Sequence, residues 1–446
     1  MSSEALLLAE RNVPRYTSYP TAPHFNTGVT AATYSSWLSD LSDRTRLSLY
    51  FHVPFCRELC FYCGCHTQAV QRQQPIDEYT AALKAEIAIL AQCLQRQPIS
   101  QVHWGGGTPS LLAPRGLLGI AETLNRTFDF TTIREHAIEL DPRYVSPELV
   151  DCLVKIGVNR ASLGVQDLSP HVQHAIGRIQ PYDTVARAVD LLRSGGVEKI
   201  NFDLMYGLPC QTSEDVRSTA ERICTLRPQR IALFGYAHVP WFKKRQRLID
   251  SAQLPDLAGR SKQMEVAREV FLSSGYQTIG FDHFALMEDD LSIAARTGCL
   301  HRNFQGYTAD DADALIGLGA SAIGRLPRGY VQNAPDISGY ARAVRSGSFA
   351  TIRGIALTAD DRLRAYIIER IMCDLHVDLR AMSSLNPGCQ FESEISCLEP
   401  FAAQGLVHID AGELTIGEAG RPYVRLIAAA FDTYLAANAQ GHSRAI

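Results

Sequence analysis

The strongest constraint on the fold is an alternation of short apolar runs with longer amphipathic stretches between residues 48 and about 285. This alternation predicts parallel β-strands joined by crossover helices, because a parallel strand connection has to return outside the sheet. In barrels of this kind ligands bind at the carboxyl ends of the strands. The predicted helices include Asp77–Leu94 and Ser146–Ile156, and the predicted strands are Ser48–Val53, Gln101–Trp104, His136–Leu140, Arg160–Val165, Lys199–Met205, Arg230–Tyr236 and Thr278–Phe281.

A cysteine-rich loop, FCRELCFYCGCHT, follows the first predicted strand. Cys56, Cys60 and Cys63 have the spacing C-x3-C-x2-C, and Cys65 follows two residues later. Three thiolates on one loop can bind an iron–sulfur cluster and leave one iron free for a small ligand, since a [4Fe–4S] cluster otherwise takes four cysteines. A structural zinc site is the alternative, although zinc favours two separated ligand pairs and no second pair is visible.

The cysteine spacing resembles that of the radical S-adenosylmethionine (SAM) superfamily. Within it, the longer string HVPFCRELCFYCGCH and the upstream string PRYTSYPTA resemble the oxygen-independent coproporphyrinogen III oxidase family, as do the later strings GFDHFA and HRNFQGYT. The resemblance covers nearly the whole chain and implies a partial parallel (β/α)6-type barrel. In the family the free iron of a [4Fe–4S] cluster binds SAM, and electron transfer splits SAM into methionine and a 5′-deoxyadenosyl radical.

The resemblance also implies a set of cofactor-binding residues. Cys56, Cys60 and Cys63 are the implied cluster ligands, and Cys65 is left without a role. The family binds two SAM molecules. Positions matching contacts to the cluster-bound SAM are Tyr50, Gly106, Glu139 and Ile323, and positions around the second SAM are Tyr62, Gly107, Thr108, Gln166, Arg178, Asp203 and Ala237. Tyr62 stands where a Phe is usual, and Tyr50 and Asp203 are candidates for a catalytic role.

Some of these residues suggest ligand contact by their chemistry alone. Gly105, Gly106 and Gly107 follow the second predicted strand, and glycines let the backbone approach a ligand closely. Polar residues also follow several other strands, including Glu139 and Asp203. Each alone is more often structural, but their recurrence at successive strand ends indicates a binding site.

The implied reaction is oxidative decarboxylation of two propionates of coproporphyrinogen III, giving the vinyl groups of protoporphyrinogen IX in haem biosynthesis. A tetracarboxylate substrate needs cationic partners, for which the candidates are Arg11, Arg15, Arg178 and Arg302. The implied electron donor is a flavodoxin-type reductant. Two alternatives remain, a radical SAM haem-degrading methyltransferase and a haem chaperone, but the N-terminal arm and the Cys-Gly-Cys sequence favour the oxidase.

The sequence divides into an N-terminal arm (residues 1–47), a barrel with extensions (48–335) and a C-terminal helical domain (350–446). Three prolines disfavour a regular helix in the arm segment PRYTSYPTAPHF. Residues 332–354 are rich in Ser and Gly and are interpreted as a linker. The C-terminal domain is predicted to be winged-helix-like and to cover the barrel, with helices at Thr358–Cys373, Phe391–Gln404 and about Pro422–Ala437, and a hairpin at Leu406–Ile416.

Composition narrows the class of protein further. A formal net charge of −4 and the absence of a dense Lys/Arg run argue against a nucleic-acid binder. The apolar run ALLLA near the N-terminus is too short for a membrane span. Twelve cysteines without an export signal indicate a reducing compartment. We therefore expect a cytoplasmic, monomeric enzyme.

Overall fold

A twelve-stranded sheet forms the centre of the molecule in the computed structural model, which describes residues 11–385 and 390–435. Its strands lie in the order β12-β11-β10-β9-β1-β2-β3-β4-β5-β6-β8-β7. Their bounds are β1 Leu47–Val53, β2 Ile99–Gly106, β3 Glu135–Leu140, β4 Arg160–Gln166, β5 Lys199–Tyr206, β6 Arg230–Gly235, β7 Tyr276–Ile279, β8 His283–Leu286, β9 Ala314–Leu318, β10 Ile323–Leu326, β11 Gly329–Asn333 and β12 Thr351–Ala356.

The strands β1 to β6 are parallel and are neighbours in chain order, so the predicted six-stranded partial barrel is confirmed. The seventh predicted strand is present as β7, but it pairs antiparallel with β8, which in turn pairs antiparallel with β6. On the other edge, β9 is parallel to β1, and β10 to β12 continue the sheet antiparallel. The carboxyl ends of all six barrel strands therefore open on one side of the sheet.

The crossover helices follow the pattern expected for parallel strands. Through the barrel they are α2 Gln73–Cys93, α3 Ala113–Thr127, α4 Pro147–Lys155, α5 Pro170–Ala175, α6 Tyr182–Ser194 and α7 Ser213–Thr225, preceded in the arm by α1 Ala31–Ser39. The later helices are α8 Leu257–Ser273, α9 Asp290–Arg296, α10 Ile337–Arg345, α11 Ala359–Asp374, α12 Leu379–Leu385, α13 Glu392–Ala403 and α14 Val424–Ala428.

The linker interpretation of residues 332–354 is wrong. This segment contains the end of β11, the helix α10 and the start of β12, and β12 pairs with β11 in the main sheet. Asp336 caps α10 by accepting a hydrogen bond from the Gly339 backbone. Burial against the helix α2 fixes the segment, because Tyr340 donates a hydrogen bond to the buried Glu86. The domain boundaries at 335 and 350 remain a prediction.

The C-terminal region has its own hydrophobic core, separate from that of the barrel. The predicted helix after Thr358 is present as α11, and Thr358 and Asp361 form a capping box at its start. The predicted hairpin is present as β14 His408–Asp410 and β15 Glu413–Thr415, joined by a third strand, β13 His376–Asp378. The winged-helix-like description remains a prediction.

The long final helix predicted from Pro422 is wrong within the described residues, and its last two positions lie beyond them. Only α14 is α-helical, and short 3-10 turns flank it. Tertiary contacts override helix propensity here: Tyr16 donates to Asp432, and Thr433 and Tyr19 hydrogen-bond through their hydroxyls. The helix is interrupted at Asp432, whose backbone is extended, and a turn follows at residues 433–434.

The first part of the N-terminal arm belongs to this second core, whereas Tyr34, Trp37 and Leu38 of the arm are buried in the barrel core. Val13, Tyr16 and Tyr19 are buried among C-terminal side chains. The arm also contains the helix α1, which the sequence analysis did not predict, and Thr30 caps it. The arm thus connects the barrel to the C-terminal region. Among the described helices, none is long and apolar enough to cross a membrane.

Candidate active site

The cysteine loop begins where β1 ends, at the carboxyl edge of the barrel. Short parallel segments at Phe55–Cys56 and Gln68–Ala69 pair and close the loop at its base. The Phe61 backbone N–H donates to the carbonyl of Ile176, and the Cys63 N–H donates to the carbonyl of Cys60. The fold therefore fixes a loop with three thiols beside the barrel mouth.

Hydrogen-bond donors surround the thiols. The Thr108 hydroxyl lies 3.6 Å and the Thr67 hydroxyl 3.3 Å from Cys56 Sγ, and Arg178 Nη1 lies 3.5 Å from Cys60 Sγ. Burial raises the pKa of Cys56. A hydrogen bond from the Cys65 thiol, aided by the charges of Lys243 and Arg178, lowers the pKa of Cys63 to about 6. Donors and cations of this kind stabilise sulfur ligands that carry negative charge.

These residues fit an iron–sulfur cluster better than a single metal ion. Across residues 11–385 and 390–435, no three His, Cys, Asp or Glu side chains converge closely enough to bind one ion. Three thiols on one loop, with Arg178 and Thr108 near their sulfurs, are the donor set and the hydrogen bonding that a cluster requires. The structural zinc alternative loses support for the same reason.

The glycine run Gly105–Gly107, at the end of β2, lies directly against the cysteine loop. The Gly107 N–H donates to the Val53 carbonyl at 2.8 Å and the Thr108 N–H to the Phe55 carbonyl at 2.7 Å. Gly106 has a φ of +108°, and a Cβ at Gly107 would lie 2.4 Å from the Phe55 carbonyl oxygen. Only glycine fits these two positions, so the close approach of β1 and β2 explains them without any ligand.

Glu139 connects the glycine run to the first strand. Its carboxylate accepts from the Gly106 N–H at 3.1 Å and lies 3.2 Å from His103 Nε2. The Tyr50 ring stacks on His103, and its hydroxyl lies 3.1 Å from His52 Nδ1. Burial lowers the pKa of His52, so its imidazole is neutral near neutral pH. The structure thus brings together Tyr50, Gly106 and Glu139, and the contact with SAM that the family resemblance implied for them stays a prediction.

Arg178 is the most connected of the predicted residues. Its guanidinium is buried and donates to the Gly164 carbonyl and to Gln180, while Nη1 lies 3.2 Å from Asp141 Oδ2. The same Nη1 reaches the sulfur of Cys60. The buried partners raise the pKa of Arg178, so it carries a permanent charge beside the cysteine loop. These contacts leave Arg178 on the cluster side of the site.

Asp203 lies near the middle of the site, one strand beyond Ser162. Its carboxylate accepts from Ser162 Oγ at 2.9 Å and from Asn201 Nδ2 at 3.2 Å. Burial and the nearby Glu139 carboxylate raise the pKa of Asp203 to about 6. Asp203 therefore changes charge close to neutral pH, which suits a residue that binds a hydroxyl or moves a proton.

The other predicted contacts lie at different points of the rim. Gln166 ends β4 with a φ of +67°, and Ala237 follows β6. Tyr62 packs against a small apolar cluster that includes Ile176. Ile323 begins β10. Its backbone packs closely against Gly317 of β9, which has no Cβ and which pairs with Tyr50 of β1.

A cavity of about 510 Å³ opens beside the end of β6, and Arg15, Arg260 and Arg425 line it together with Asp282. Arg15 Nη2 donates to the Gly235 carbonyl, and Arg302 Nε donates to the Arg15 carbonyl. Arg302 Nη2 lies 3.8 Å from the buried Asp282 carboxylate. Burial and the charges of Arg15 and Arg302 lower the pKa of Arg425 to about 9. An anion bound here would relieve this repulsion.

The four predicted substrate cations therefore separate. Arg15 lines the cavity and Arg302 contacts its backbone from outside the lining, whereas Arg178 lies at the cysteine loop and Arg11 is exposed on the arm. The sequence analysis missed Arg425, which lines the cavity and donates to the carbonyls of Pro14 and Val13. No local motif marks Arg425, since its role depends on an arm more than 400 residues away.

Comparison with known proteins agrees with this geometry. Residues 50–223 match the model of the radical SAM superfamily. The chain is 46% identical to the oxygen-independent coproporphyrinogen III oxidase of Bradyrhizobium diazoefficiens, over 99% of both chains. It is 44% identical to the enzyme of that name from Paracoccus denitrificans, over 99% of this chain and 98% of the relative.

A solved structure extends the likeness to the fold. The coproporphyrinogen III oxidase of Escherichia coli, described as a radical SAM enzyme, superposes with a TM-score of 0.90 at 36% identity, covering 96% of this chain and all of that one. The parallel barrel with a three-cysteine loop at its mouth defines a radical SAM enzyme, which binds an iron–sulfur cluster and SAM. Within that superfamily the chain belongs to the oxygen-independent coproporphyrinogen III oxidase family.

Proposed function

We propose that this protein decarboxylates two propionate side chains of coproporphyrinogen III oxidatively, giving the vinyl groups of protoporphyrinogen IX in haem biosynthesis. The observation that carries the proposal is the pairing of two sites at one barrel mouth. One is the three-cysteine loop, and the other is the cavity lined by Arg15 and Arg425, next to which Arg302 donates to the Arg15 carbonyl. A family whose members are named for a tetracarboxylate substrate needs both.

The cofactors supply the chemistry and the protein positions them. A [4Fe–4S] cluster held by Cys56, Cys60 and Cys63, together with SAM, would supply a 5′-deoxyadenosyl radical that takes hydrogen from the propionate β-carbon. Loss of CO2 from the substrate radical and transfer of one electron to an acceptor outside this chain would then complete each vinyl group. Tyr50, Gly106, Glu139 and Ile323 bind the SAM nearest the cluster in this proposal.

The second SAM in this proposal contacts residues that run from the cysteine loop to β6 along the carboxyl edge of the barrel. They are Tyr62 on the cysteine loop, Gly107 and Thr108 after β2, Gln166 at the end of β4, Arg178 beyond it, Asp203 in β5 and Ala237 after β6. Asp203 is the candidate for proton movement because its pKa of about 6 lies close to neutral pH. Tyr50 is the second candidate, since its hydroxyl contacts His52. We also propose that the protein acts as a cytoplasmic monomer with an external electron donor.

The propionates bind to the arginines of the cavity in this proposal. Guanidinium groups recognise carboxylates with two parallel hydrogen bonds. Arg302 Nη1 is buried and has no hydrogen-bond partner among the residues that the structure describes, so a carboxylate that reached it would supply the missing acceptor. Asp282 lies 3.8 Å from Arg302 and balances its charge until the substrate binds. The apolar neighbours Phe281 and Tyr307 hold the guanidinium plane in place.

The test is an anaerobic turnover assay. Protein reconstituted with iron and sulfide is reduced by dithionite and mixed with SAM and coproporphyrinogen III, and chromatography follows 5′-deoxyadenosine and protoporphyrinogen IX. Formation of both products supports the proposal. Deoxyadenosine without a vinyl product would assign a different substrate, as for a haem-degrading methyltransferase. Neither product, together with tight haem binding, would indicate a chaperone.

The role of these arginines in substrate binding can be tested separately with a substitution. Arg302→Gln should raise the KM for coproporphyrinogen III by roughly tenfold or more, because a charged hydrogen bond to carboxylate is lost. Cluster content and uncoupled SAM cleavage should not change. The matched control is Arg296→Gln, whose guanidinium hydrogen-bonds to Gln277 on the outer surface and should leave the KM unaltered.

A further inference from the structure

A loop after β6, residues 239–248, carries an unusual surface. It contains Lys243, Lys244, Arg245 and Arg247 and no acidic residue, so the chain does have one dense Lys/Arg run despite its net charge of −4. Trp241 and Phe242 on the same loop are 68% and 74% exposed. Exposed aromatic and cationic side chains together are typical of protein–protein contact surfaces.

This loop is fixed to the cysteine loop by three side chains. Lys243 Nζ donates to the Cys65 carbonyl at 3.2 Å, Arg245 Nε to the Leu59 carbonyl at 2.8 Å, and Gln246 Nε2 to the Tyr62 carbonyl at 2.9 Å. Those carbonyls lie beside the cluster ligands in sequence. Only the cysteine loop would therefore separate the cluster from a partner bound to the outer face of the 239–248 loop.

The loop has a rigid inner face and an open outer face. Gln246 is buried, and its amide oxygen accepts from the Val239 N–H, which holds the loop closed on itself. Lys244 and Arg247 are exposed and make none of the three contacts to the cysteine loop. The outer face thus presents the positive charges of Lys244 and Arg247 on a backbone that is held in place, and such a charged surface can steer an acidic partner toward it.

We propose that this loop is the docking surface for a small acidic one-electron carrier protein. The proposal rests on the proposed function, since it assumes a cluster that must be reduced before SAM is cleaved. In each encounter the reduced carrier loses one electron and the cluster gains one. Contacts between redox proteins are small and strongly charged, so a few cations around an exposed aromatic pair are sufficient.

The test uses the reconstituted full-length protein with a reduced acidic flavodoxin as the probe. Lys244→Glu combined with Arg247→Glu reverses charge on the outer face only. We expect the second-order rate of cluster reduction, followed by its absorbance, to fall roughly tenfold or more at low salt. Calorimetry should show the same loss in flavodoxin affinity, while dithionite should reduce the variant cluster at the wild-type rate.

The matched control is Arg342→Glu combined with Arg345→Glu, two exposed arginines of α10 that line a separate cavity with Phe55 and Thr67. This control changes the net charge equally. Equal losses in both variants, or none in the loop variant, would overturn the proposed docking surface. Failure of the proposed function is distinguishable, because it would appear as missing products in the dithionite-driven assay with flavodoxin binding unchanged.

Discussion

The cysteine loop and the core that joins the arm to the C-terminal region are assembled from residues at very different sequence separations. At the loop, three thiols lie within eight residues, and the strand β1 delivers all of them. At the arm core, Tyr16 donates a hydrogen bond to Asp432, a partner 416 positions away. A local motif can specify the first arrangement, whereas only the folded chain creates the second.

The two regions also differ in what holds them together. The cysteine loop depends on backbone hydrogen bonds to the glycine run and on donors to its sulfurs. The arm core depends on burial, with Val13, Tyr16 and Tyr19 among C-terminal aliphatic and aromatic residues. Damage to the loop should therefore remove chemistry while the fold persists, and damage to the arm should lower stability first.

The largest expected effect comes from the cluster ligands. Replacing Cys56, Cys60 or Cys63 by Ser should abolish cluster formation and SAM cleavage, since each thiolate binds one iron. Iron and sulfide analysis and 5′-deoxyadenosine chromatography measure the two losses. Cys65→Ser is the matched control and should retain the cluster. Loss of the cluster in that control would show that the ligand set is different.

Substitutions at Tyr16 test whether the arm core contributes mainly to stability. Tyr16→Ala should lower the free energy of unfolding by roughly 3 kcal/mol, because it leaves a cavity in a buried aromatic site. Tyr16→Phe keeps the ring and should cost about 1 kcal/mol through the lost hydrogen bond to Asp432. Denaturant titration gives both values. A loss of cluster content at full stability would contradict the separation of the two regions.

An intermediate case lies at Glu86, which joins the helix α2 to the sheet extension. It accepts hydrogen bonds from Tyr340, Asn333 and the Gly319 backbone. Burial raises the pKa of Glu86 to about 7 from an ordinary value of 4.5. Between pH 4.5 and about 7 the Glu86 carboxyl keeps its proton in the folded protein but loses it in the unfolded chain. The contribution of Glu86 to the free energy of unfolding therefore decreases as pH rises through this range, and it is lowest above pH 7.

Glu86→Gln should flatten this dependence. In the wild-type protein, ionisation of Glu86 should lower the free energy of unfolding by up to about 1.4 kcal/mol per pH unit between roughly pH 4.5 and 7. The variant should lack that slope, whatever its absolute stability. Urea titrations at several pH values measure it, and Glu78→Gln, exposed on the same helix, should retain the wild-type slope. An unchanged slope in Glu86→Gln would contradict the raised pKa.

Much of the barrel could be predicted because its signals are local. Apolar runs of strand length alternate with helical patterns, so all six parallel strands fell within a few residues of their predicted bounds. The capping box at Thr358 and the turn at residues 410–412 were equally local. The residues around the SAM site followed from family resemblance rather than from periodicity, and their roles remain proposals.

The segments that were misjudged share one physical cause. The supposed linker at 332–354 is a strand, a helix and a further strand because its side chains are buried against α2 and β11. The final helix is shortened because Tyr16 and Tyr19 bind the chain after residue 431. In both cases long-range burial outweighed a weak local preference.

The sequence by itself determined the parallel barrel, the position of the three thiols at its mouth and the glycines that bring β1 and β2 together. The tertiary structure alone decided which arginines meet, since Arg15, Arg302 and Arg425 come from three distant parts of the chain. It also placed a basic loop against the cysteine loop. Spacing along a chain fixes local geometry, but convergence of distant charges depends on how the layers pack.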